Sequence, residues 1–453
     1  VDATAVTAIS GDAAGFDALE TAALGGSVLL NNFAATVSGT YGVAGINALA
    51  ARATGVVTAT VTEDAIADLI GVGGLTTAGT VAISVTLAAA DTIAVADLLT
   101  LNGRTSVEVN AEEIATITGS MTDLLSLRTA VLADQISIAT GTVNLTVTSG
   151  TLDAAPLAIE TALNVLTLAD FVGGLVDVTA IDQINGTAED LATLEARNDV
   201  EIALEVATEV YAAQPSDATM KATDILALGT ANATGTVDLA LVSTIRGEID
   251  DINSVIAGGA DNNIQLAIKA YNFTVITDED GAATATVTQA NALTASAGGG
   301  IVTATISNTD IVDLDDLAAS AVNALTITVA GASLDAAQLN TVDAATTVQV
   351  TTSEITELTG TAAAAETAMA SAGLDLNGQN INVIIDDGSA SISQLNNING
   401  DNGTGTITAT LSASDLADMV DGVNGLTTGD GDSITITLKV ESVSATDLVT
   451  LEG

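Results

Sequence analysis

The chain has 453 residues, with 57 acidic side chains against 8 basic ones, and 48% of its residues are hydrophobic. The formal net charge of -49 excludes nucleic acid and anionic membrane surfaces as partners, because both are bound through clustered Lys and Arg. The hydrophobic content in turn excludes a disordered chain. We expect a folded acidic protein that neither binds nucleic acid nor inserts into a membrane.

The sequence contains no Cys and no His, and aromatic residues make up only 2%. Disulfides, thiolate nucleophiles and cysteine or histidine metal sites are therefore excluded, as is the commonest general base near neutral pH. Few aromatic side chains are available to stack on sugars or bases. We predict that the protein is not an enzyme. A hydrolase that uses paired carboxylates is the least favoured alternative.

Short runs of β-branched residues with period-two alternation recur along the whole chain, and each predicts a short strand. The runs are 57–61, 81–85, 107–109, 143–147, 200–204, 237–241, 302–306, 325–329, 348–350, 381–384, 407–411 and 434–438.

Three kinds of connector separate these strands, and each is interpreted as a capped short helix. The first is the segment 307–314, which matches 412–419 and, less closely, 62–69. The second is 333–339, which resembles 151–157 and 442–448. The third is 353–361, which parallels 111–120 and 180–187 and is followed by an Ala-rich helix. This recurrence indicates a repeat protein.

Strands recur roughly every 20 to 37 residues, a period typical of repeat architectures with one strand and one helix or turn per coil. The predicted fold class is an α/β repeat: an elongated solenoid of short parallel strands alternating with short helices or turns. Residues 1–205 form the first part of the array, 206–235 a helical insert, and 236–453 the second part. Because the sequence lacks an initial Met and stops within a motif, we expect the array to continue beyond it.

Acidic residues fall mainly at the starts of the predicted helices, as in 62–64, 353–354 and 414–415, where they cap N–H groups and complement the helix dipole. Four loops also concentrate Asp, Asn and Gly, the oxygen-rich composition that calcium prefers. Turn chemistry explains the same loops, since these residues tolerate positive φ. The candidate calcium ligands are Asp278, Asp280, Asp386, Asp387, Asp401, Asp430 and Asp432.

The phrases at 333–344, 354–362 and 405–416 resemble the repeats of giant acidic secreted surface proteins of marine cyanobacteria and similar bacteria, of the adhesin or surface-layer type. The resemblance covers most of the chain. It implies a fibrous protein that is secreted or held at the cell surface, in a class that often binds calcium. The tandem glycine–aspartate nonapeptides of that class do not occur in this sequence.

The function hypothesis is a structural, self-associating segment of an extracellular filament, sheath or surface layer, stabilised by calcium. Its main partner is then a second copy of the chain, with surface glycans as a further partner. One alternative is an adhesin stalk that binds glycans or a cell-surface receptor. A second alternative is a phage fibre protein, which trimers in solution would favour.

Overall fold

The structure is a computed structural model, and it describes residues 1–76, 81–148, 159–198, 200–204, 211–232, 235–259, 263–277, 279–352, 354–376, 379–414, 416–421, 425–427, 431–438, 444–446 and 449. It has an α/β fold with parallel-stranded sheets. The chain forms two compact units. Unit 1 contains Val1–Ser216 and Ala231–Asp238, and unit 2 contains Asp217–Thr230 and Leu239–Gly453.

Unit 1 is built from short strands and helices that follow each other along the chain. Its strands are β1 (Asp2–Ala3), β2 (Ala8–Asp12), β3 (Leu29–Leu30), β4 (Ala34–Tyr41), β5 (Val57–Val61), β6 (Val81–Thr86), β7 (Ala90–Ala94), β8 (Val109–Asn110), β9 (Ile114–Gly119), β10 (Ile136–Ser137), β11 (Asn144–Val147), β12 (Ile159–Thr161), β13 (Val176–Asp177), β14 (Gln183–Gly186), β15 (Ile202–Ala203), β16 (Ala212–Pro215) and β18 (Thr236–Asp238). Its helices are α1 (Ala13–Leu24), α2 (Val43–Arg52), α3 (Ile66–Ile70), α4 (Val95–Asn102), α5 (Met121–Leu132), α6 (Ala162–Ala169) and α7 (Ala188–Ala196).

The sheets of unit 1 join each strand to one that lies further along the chain. Besides the pair β1–β3, the orders are β2-β4-β5-β6-β8-β10, β7-β9-β11-β13-β15 and β12-β14-β16-β18. The pairings within these sheets are parallel, as between β5 and β6, where Val57 faces Val81. Parallel neighbours require a crossover connection, and the intervening helices and turns supply it.

Unit 2 follows the same plan. Its strands are β17 (Thr219–Lys221), β19 (Thr244–Gly247), β20 (Ile264–Gln265), β21 (Asn272–Val275), β22 (Thr284–Ala285), β23 (Val302–Ile306), β24 (Ala324–Thr326), β25 (Ser333–Asp335), β26 (Glu357–Thr361), β27 (Asn382–Asp387), β28 (Ile407–Ser414) and β29 (Ser433–Leu438). Its helices are α8 (Ala222–Ala231, whose last residue belongs to unit 1), α9 (Ile249–Ile256), α10 (Val287–Ser296), α11 (Ile311–Leu314), α12 (Ala336–Asp343), α13 (Ala362–Ala370), α14 (Ile392–Asp401) and α15 (Leu416–Met419). The sheets have the orders β17-β19-β21-β23-β22, with β24 also on β23, and β25-β26-β27-β28-β29.

The core of each unit lies between the inner faces of its strands and one side of its helices. In β5, Val57, Ala59 and Val61 are buried whereas the two threonines between them are exposed. In α5, Leu124 and Leu127 are buried one turn apart. The alternation along strands and the spacing of three along helices are the periods that place apolar side chains on one face of each element.

Glycines stand where the start of one strand lies against the backbone of an earlier segment. A Cβ atom at Gly300 would lie 2.0 Å from the carbonyl oxygen of Tyr271, and one at Gly405 would lie 2.0 Å from that of Ile381. Gly174 and Gly235 meet backbone carbonyls at 2.2 Å in the same way. Each of these glycines lies one or two residues before a strand, and the lack of a side chain allows the two backbones to approach.

Three asparagine side chains join a helix to the loop that follows the next helix. Asn47 donates from Nδ2 to the carbonyl of Gly74 at 2.9 Å, and its Oδ1 accepts from the N–H of Thr76 at 2.9 Å. Asn291 and Asn396 make the same two contacts, each with the loop after the next short helix. One side-chain amide thereby satisfies a backbone N–H and a backbone carbonyl of a loop that forms no regular sheet hydrogen bonds.

The predicted strands are confirmed except for run 348–350, with shifts of a few residues at their ends. Run 302–306 coincides with β23, whereas run 348–350 contributes only an isolated bridge, between Val350 and Leu374. The first connector is also confirmed, because 62–69, 307–314 and 412–419 contain the short helices α3, α11 and α15.

The second connector, predicted as a capped short helix, is confirmed in part, and the third was wrong. Residues 333–335 are strand β25, and helix α12 starts at Ala336, capped by Asp335. The third connector ends in strand β26, and α13 starts only at Ala362. Strands β25 and β26 pair in parallel, with Ser333 opposite Glu357. Their backbone N–H and C=O groups therefore bond across the sheet instead of within a helix. The related segments 151–157 and 442–448 lie largely outside the described residues.

The helical insert predicted for 206–235 is corrected by the structure. Its described part contains β16 and β17 as well as helix α8. Ala212, Ala213 and Gln214 carry no β-branched side chain, but they pair in register with β14. This segment therefore continues the parallel pattern of the chain, and the boundary between the two units also falls in it.

Candidate functional site

Two of the predicted calcium ligands, Asp278 and Asp430, lie outside the described residues. Asp280 is described, and its Oδ1 accepts from Arg246 Nη1 at 3.1 Å and lies 3.4 Å from Lys221 Nζ. Lys221 and Arg246 are register partners on β17 and β19, so their side chains leave the sheet side by side. A carboxylate that already holds two cations is a poor calcium ligand.

The remaining predicted ligands lie on three different segments. Asp386 and Asp387 are exposed at the end of β27, and Asp401 is the last residue of α14. Asp432 accepts a hydrogen bond from the N–H of Ile407 at 2.7 Å, so it satisfies the first residue of β28. Within the described ranges, no three acidic side chains come together as a group that could hold a metal ion.

Acids near helix starts do cap helices, as expected, but Glu63 caps a helix of an earlier segment. Glu63 was expected to serve its own segment, yet it accepts from the N–H of Val43, the first residue of α2, at 3.0 and 3.1 Å. Helix α2 needs this contact because its own N-cap residue is Gly42, which has no side chain. Asp12 and Asp335 cap their own helices. Ser353 and Asp415 lie outside the described residues.

A polar pocket of about 260 Å³ lies in unit 2 between two neighbouring segments. Its lining is Gln349, Val350, Thr351, Thr352, Asp375 and Gln379. The parallel bridge between Val350 and Leu374 aligns the two segments, so the pocket is built on a fixed register. Sequence inspection did not find this site, because no single stretch of the chain carries its composition.

A second polar cluster in unit 1 surrounds Tyr41, whose side chain is 7% exposed. Its hydroxyl donates to Asp17 Oδ1 at 2.8 Å, and nearby Arg52 pairs with Glu20 at 2.8 Å. Burial, followed by the hydrogen bond to Asp17 and the charges of Asp17 and Glu20, raises the pKa of Tyr41 to about 12.

This pKa leads to a prediction for alkaline unfolding. Tyr41 ionises at about pH 10 in the unfolded chain, so its contribution to stability is complete below pH 10 and is lost as the pH rises towards 12. We expect the loss to be roughly 2 kcal/mol in the wild type and absent in Tyr41→Phe, which gives up about 1 kcal/mol of hydrogen bonding at neutral pH instead. Urea unfolding between neutral pH and pH 12 measures both effects.

The difference in phenolate absorbance between the wild type and Tyr41→Phe isolates this residue from Tyr211 and Tyr271. A difference titration centred near pH 10 would contradict the assignment.

Comparisons of this chain with protein-family models, with curated proteins and with solved structures found no match. Among the helices in the described ranges, none combines the length and apolar composition needed to cross a membrane. The geometry of the chain's own residues is therefore the basis for its proposed function.

Proposed function

We propose that the chain is a structural segment of an extracellular filament, sheath or surface layer, and that each unit is a solenoid of stacked coils. The observation that carries this proposal is the regular parallel pairing of unit 2. Ser333 pairs with Glu357, Glu357 with Asn382, Val383 with Ile407, and Thr408 with Ser433. Each coil thus advances the chain by 24 or 25 residues. Stability in such a stack comes from contacts between neighbouring coils.

Contacts between side chains and backbone support the same arrangement. The asparagine contacts, the cap that Glu63 provides and the glycines at strand starts all join a residue to the next or the preceding coil. The exposed sides of the strands carry mainly Thr and Ser, as in β5 and β23, which suits a surface layer in contact with water. A scaffold whose binding groups are spread along the chain fits a structural role better than a catalytic one.

Strand β29 supports self-association. Its sequence, Ser433–Leu438, alternates exposed Ser and Thr with half-exposed Ile and Leu, and in the described part of the chain it pairs only with β28. A β-branched strand with a half-exposed apolar face is suited to pairing with another strand. We propose that a second copy of the chain packs against β29, and that the net charge of -49 keeps the assembly soluble when salt screens its repulsion.

Electron microscopy in negative stain tests this proposal. The full chain is imaged with millimolar calcium and again with a chelator. Filaments or ordered sheets are expected with calcium, and their loss in chelator would assign calcium a stabilising role in the assembly. Dispersed single particles in both conditions would contradict self-association.

A pair of matched variants tests the proposed contact at β29. Thr435 on β29 and Thr410 on β28 are register partners, and both side chains are exposed. We expect Thr435→Lys to reduce assembly, because a charge on the strand that meets the second copy opposes pairing, while Thr410→Lys leaves more of it intact. Equal assembly by the two variants would contradict a contact through β29.

A further inference from the structure

A short hairpin follows β21 and departs from the parallel pattern of unit 2. Ile276 and Ala282 form an antiparallel bridge, and the N–H of Thr277 donates to the carbonyl of Gly281 at 2.9 Å. Asp280 lies within this hairpin with a φ of 61°, in the left-handed region that residues other than glycine rarely adopt. The hairpin therefore holds one aspartate in a defined and uncommon backbone conformation.

The side chain of Asp280 extends back over the sheet to two earlier strands. Its Oδ1 accepts from Arg246 Nη1 at 3.1 Å and lies 3.4 Å from Lys221 Nζ. These two cations are register partners on β19 and β17, and Arg246 is in turn opposite Thr274 of β21. One carboxylate thus connects the hairpin that leaves β21 with both neighbouring strands. We call Lys221, Arg246 and Asp280 the ionic clasp.

The composition of the ionic clasp is unusual for so acidic a chain. It contains two of the 8 basic residues of the sequence and a single acidic one. Arg246 Nε is buried and has no hydrogen-bond partner in the described structure, so this part of the guanidinium has lost water without compensation. Among the described residues, Asp280 is the acid that forms an ion pair with Arg246. The carboxylate therefore offsets a cost of burying this cation.

Strand β17 is the element that gains most from the ionic clasp. It has three residues, of which Met220 is buried, and in the described part of the chain it pairs only with β19. A short strand with one partner and little buried apolar surface opens more readily than the inner strands of a sheet. Lys221 is its last residue, and helix α8 starts directly after it. The ion pair therefore acts at the end of the strand that leads into this helix.

We propose that the ionic clasp keeps β17 paired with β19, and that ionic strength sets how often this pairing opens. The side chains of Lys221, Arg246 and Asp280 are 29%, 37% and 49% exposed, so dissolved ions reach them. The screening length falls from about 10 Å at 0.1 M salt to about 3 Å at 1 M, which weakens exposed ion pairs. The clasp is therefore effective in dilute salt and weak in concentrated salt. This inference does not depend on the filament proposal.

Hydrogen exchange of peptides from 217–231, measured on the full chain, tests the inference. In dilute salt we expect Asp280→Asn to speed exchange of the β17 amides by about two- to fivefold, the effect of an exposed ion pair. Asparagine tolerates the same φ as aspartate but carries no charge. The matched control is Glu279→Gln, which removes one charge from the same hairpin. Glu279 is exposed and forms no ion pair in the described part of the chain, so the control should leave β17 unchanged.

The same comparison at about 1 M salt tests the dependence on ionic strength. Salt also screens the repulsion within the acidic chain, but this general effect is common to the wild type and Asp280→Asn and cancels in their difference. We expect the difference in β17 exchange to disappear. A difference that persists at this salt concentration would overturn the inference. Equal β17 exchange of the wild type, Asp280→Asn and Glu279→Gln in dilute salt would overturn it as well.

The variant Asp280→Gly separates the ionic clasp from the conformation of the hairpin. Glycine adopts a φ of 61° without steric strain, so a purely conformational role of this residue is retained and β17 would exchange at the wild-type rate. The inference predicts instead the faster exchange expected for Asp280→Asn. Because dispersed protein is measured, absence of filaments together with an intact clasp would count against the proposed function alone.

Discussion

Replacing Gly405 with alanine is expected to destabilise the segment that contains β28 by about 3 kcal/mol. The added Cβ would lie 2.0 Å from the carbonyl oxygen of Ile381 and 2.4 Å from its carbon. Both atoms belong to the backbone just before β27, so no flexible side chain can move aside. Relief requires separation of β27 from β28, which breaks the pairing of Val383 with Ile407.

The control for this prediction is Gly400, five residues earlier. It lies in helix α14, is exposed, and a Cβ there meets nothing within 4 Å. Alanine restricts the unfolded backbone and favours helix, so Gly400→Ala should stabilise the protein by about 0.5 to 1 kcal/mol. Hydrogen exchange of peptides from 379–411 measures both local free energies. Destabilisation of similar size in both variants would contradict the steric explanation.

Replacing Thr346 with valine is expected to lower the free energy of unfolding by about 3 kcal/mol, because the Thr346 hydroxyl bonds backbone groups of a buried residue of β24. Its Oγ1 accepts from the N–H of Leu325 at 2.9 Å and donates to the carbonyl of the same residue at 2.8 Å. It also accepts from the N–H of Val348 at 3.0 Å. Leu325 is 1% exposed, so water cannot replace the lost partners without local opening of the structure.

Thr326 offers a matched control, since it is the next residue of β24 and its side chain is exposed. Thr326→Val makes the same chemical change and should alter stability by no more than about 0.5 kcal/mol. Urea unfolding followed by circular dichroism measures the variants together. The same hydroxyl arrangement recurs at Thr105, which bonds both backbone groups of Ile83 at 3.0 and 2.7 Å, so Thr105→Val should behave like Thr346→Val. Equal stability of Thr326→Val and Thr346→Val would show that the hydroxyl contacts contribute little.

The strands that could be predicted from the sequence are those with alternating β-branched residues. Val302–Ile306 has three apolar side chains on one face, and this pattern alone identifies it. Strands such as Gln183–Gly186 and Ala212–Pro215 escaped prediction because each contributes few large apolar residues. They are strands because their neighbours in the sheet supply hydrogen-bond partners, which is information from another part of the chain.

One informative local signal was present but unused. The sequence places Gly two residues before a β-branched position at Gly174-Leu175-Val176, Gly300-Ile301-Val302 and Gly405-Thr406-Ile407. Each of these glycines lies against a backbone carbonyl of an earlier segment. When these glycines are interpreted only as turn residues, they do not indicate that two backbone segments approach closely. Their regular position two residues before a strand does indicate it.

The candidate sites depend on contacts that local composition does not show. The loop around Asp280 has the composition of a calcium loop, but Lys221 and Arg246, from two earlier strands, occupy its carboxylate. Conversely, no single stretch of the sequence shows the pocket in unit 2, because its lining comes from 349–352 and from Asp375 and Gln379, which the bridge between Val350 and Leu374 aligns. Short-range patterns therefore identify turns well and binding sites poorly in this chain.

Some caps join residues that are synthesised at different times. Helix α2 receives its N-terminal cap from Glu63, and the N–H of Val287, which opens α10, is bound by Asn308 Oδ1 at 3.2 Å. The acceptors lie 20 and 21 residues downstream, so each N–H group gains this partner only after the following segment has been synthesised. Helix α10 also has its own capping box at Thr286, so α2, whose N-cap is Gly42, is the helix that depends on the later segment.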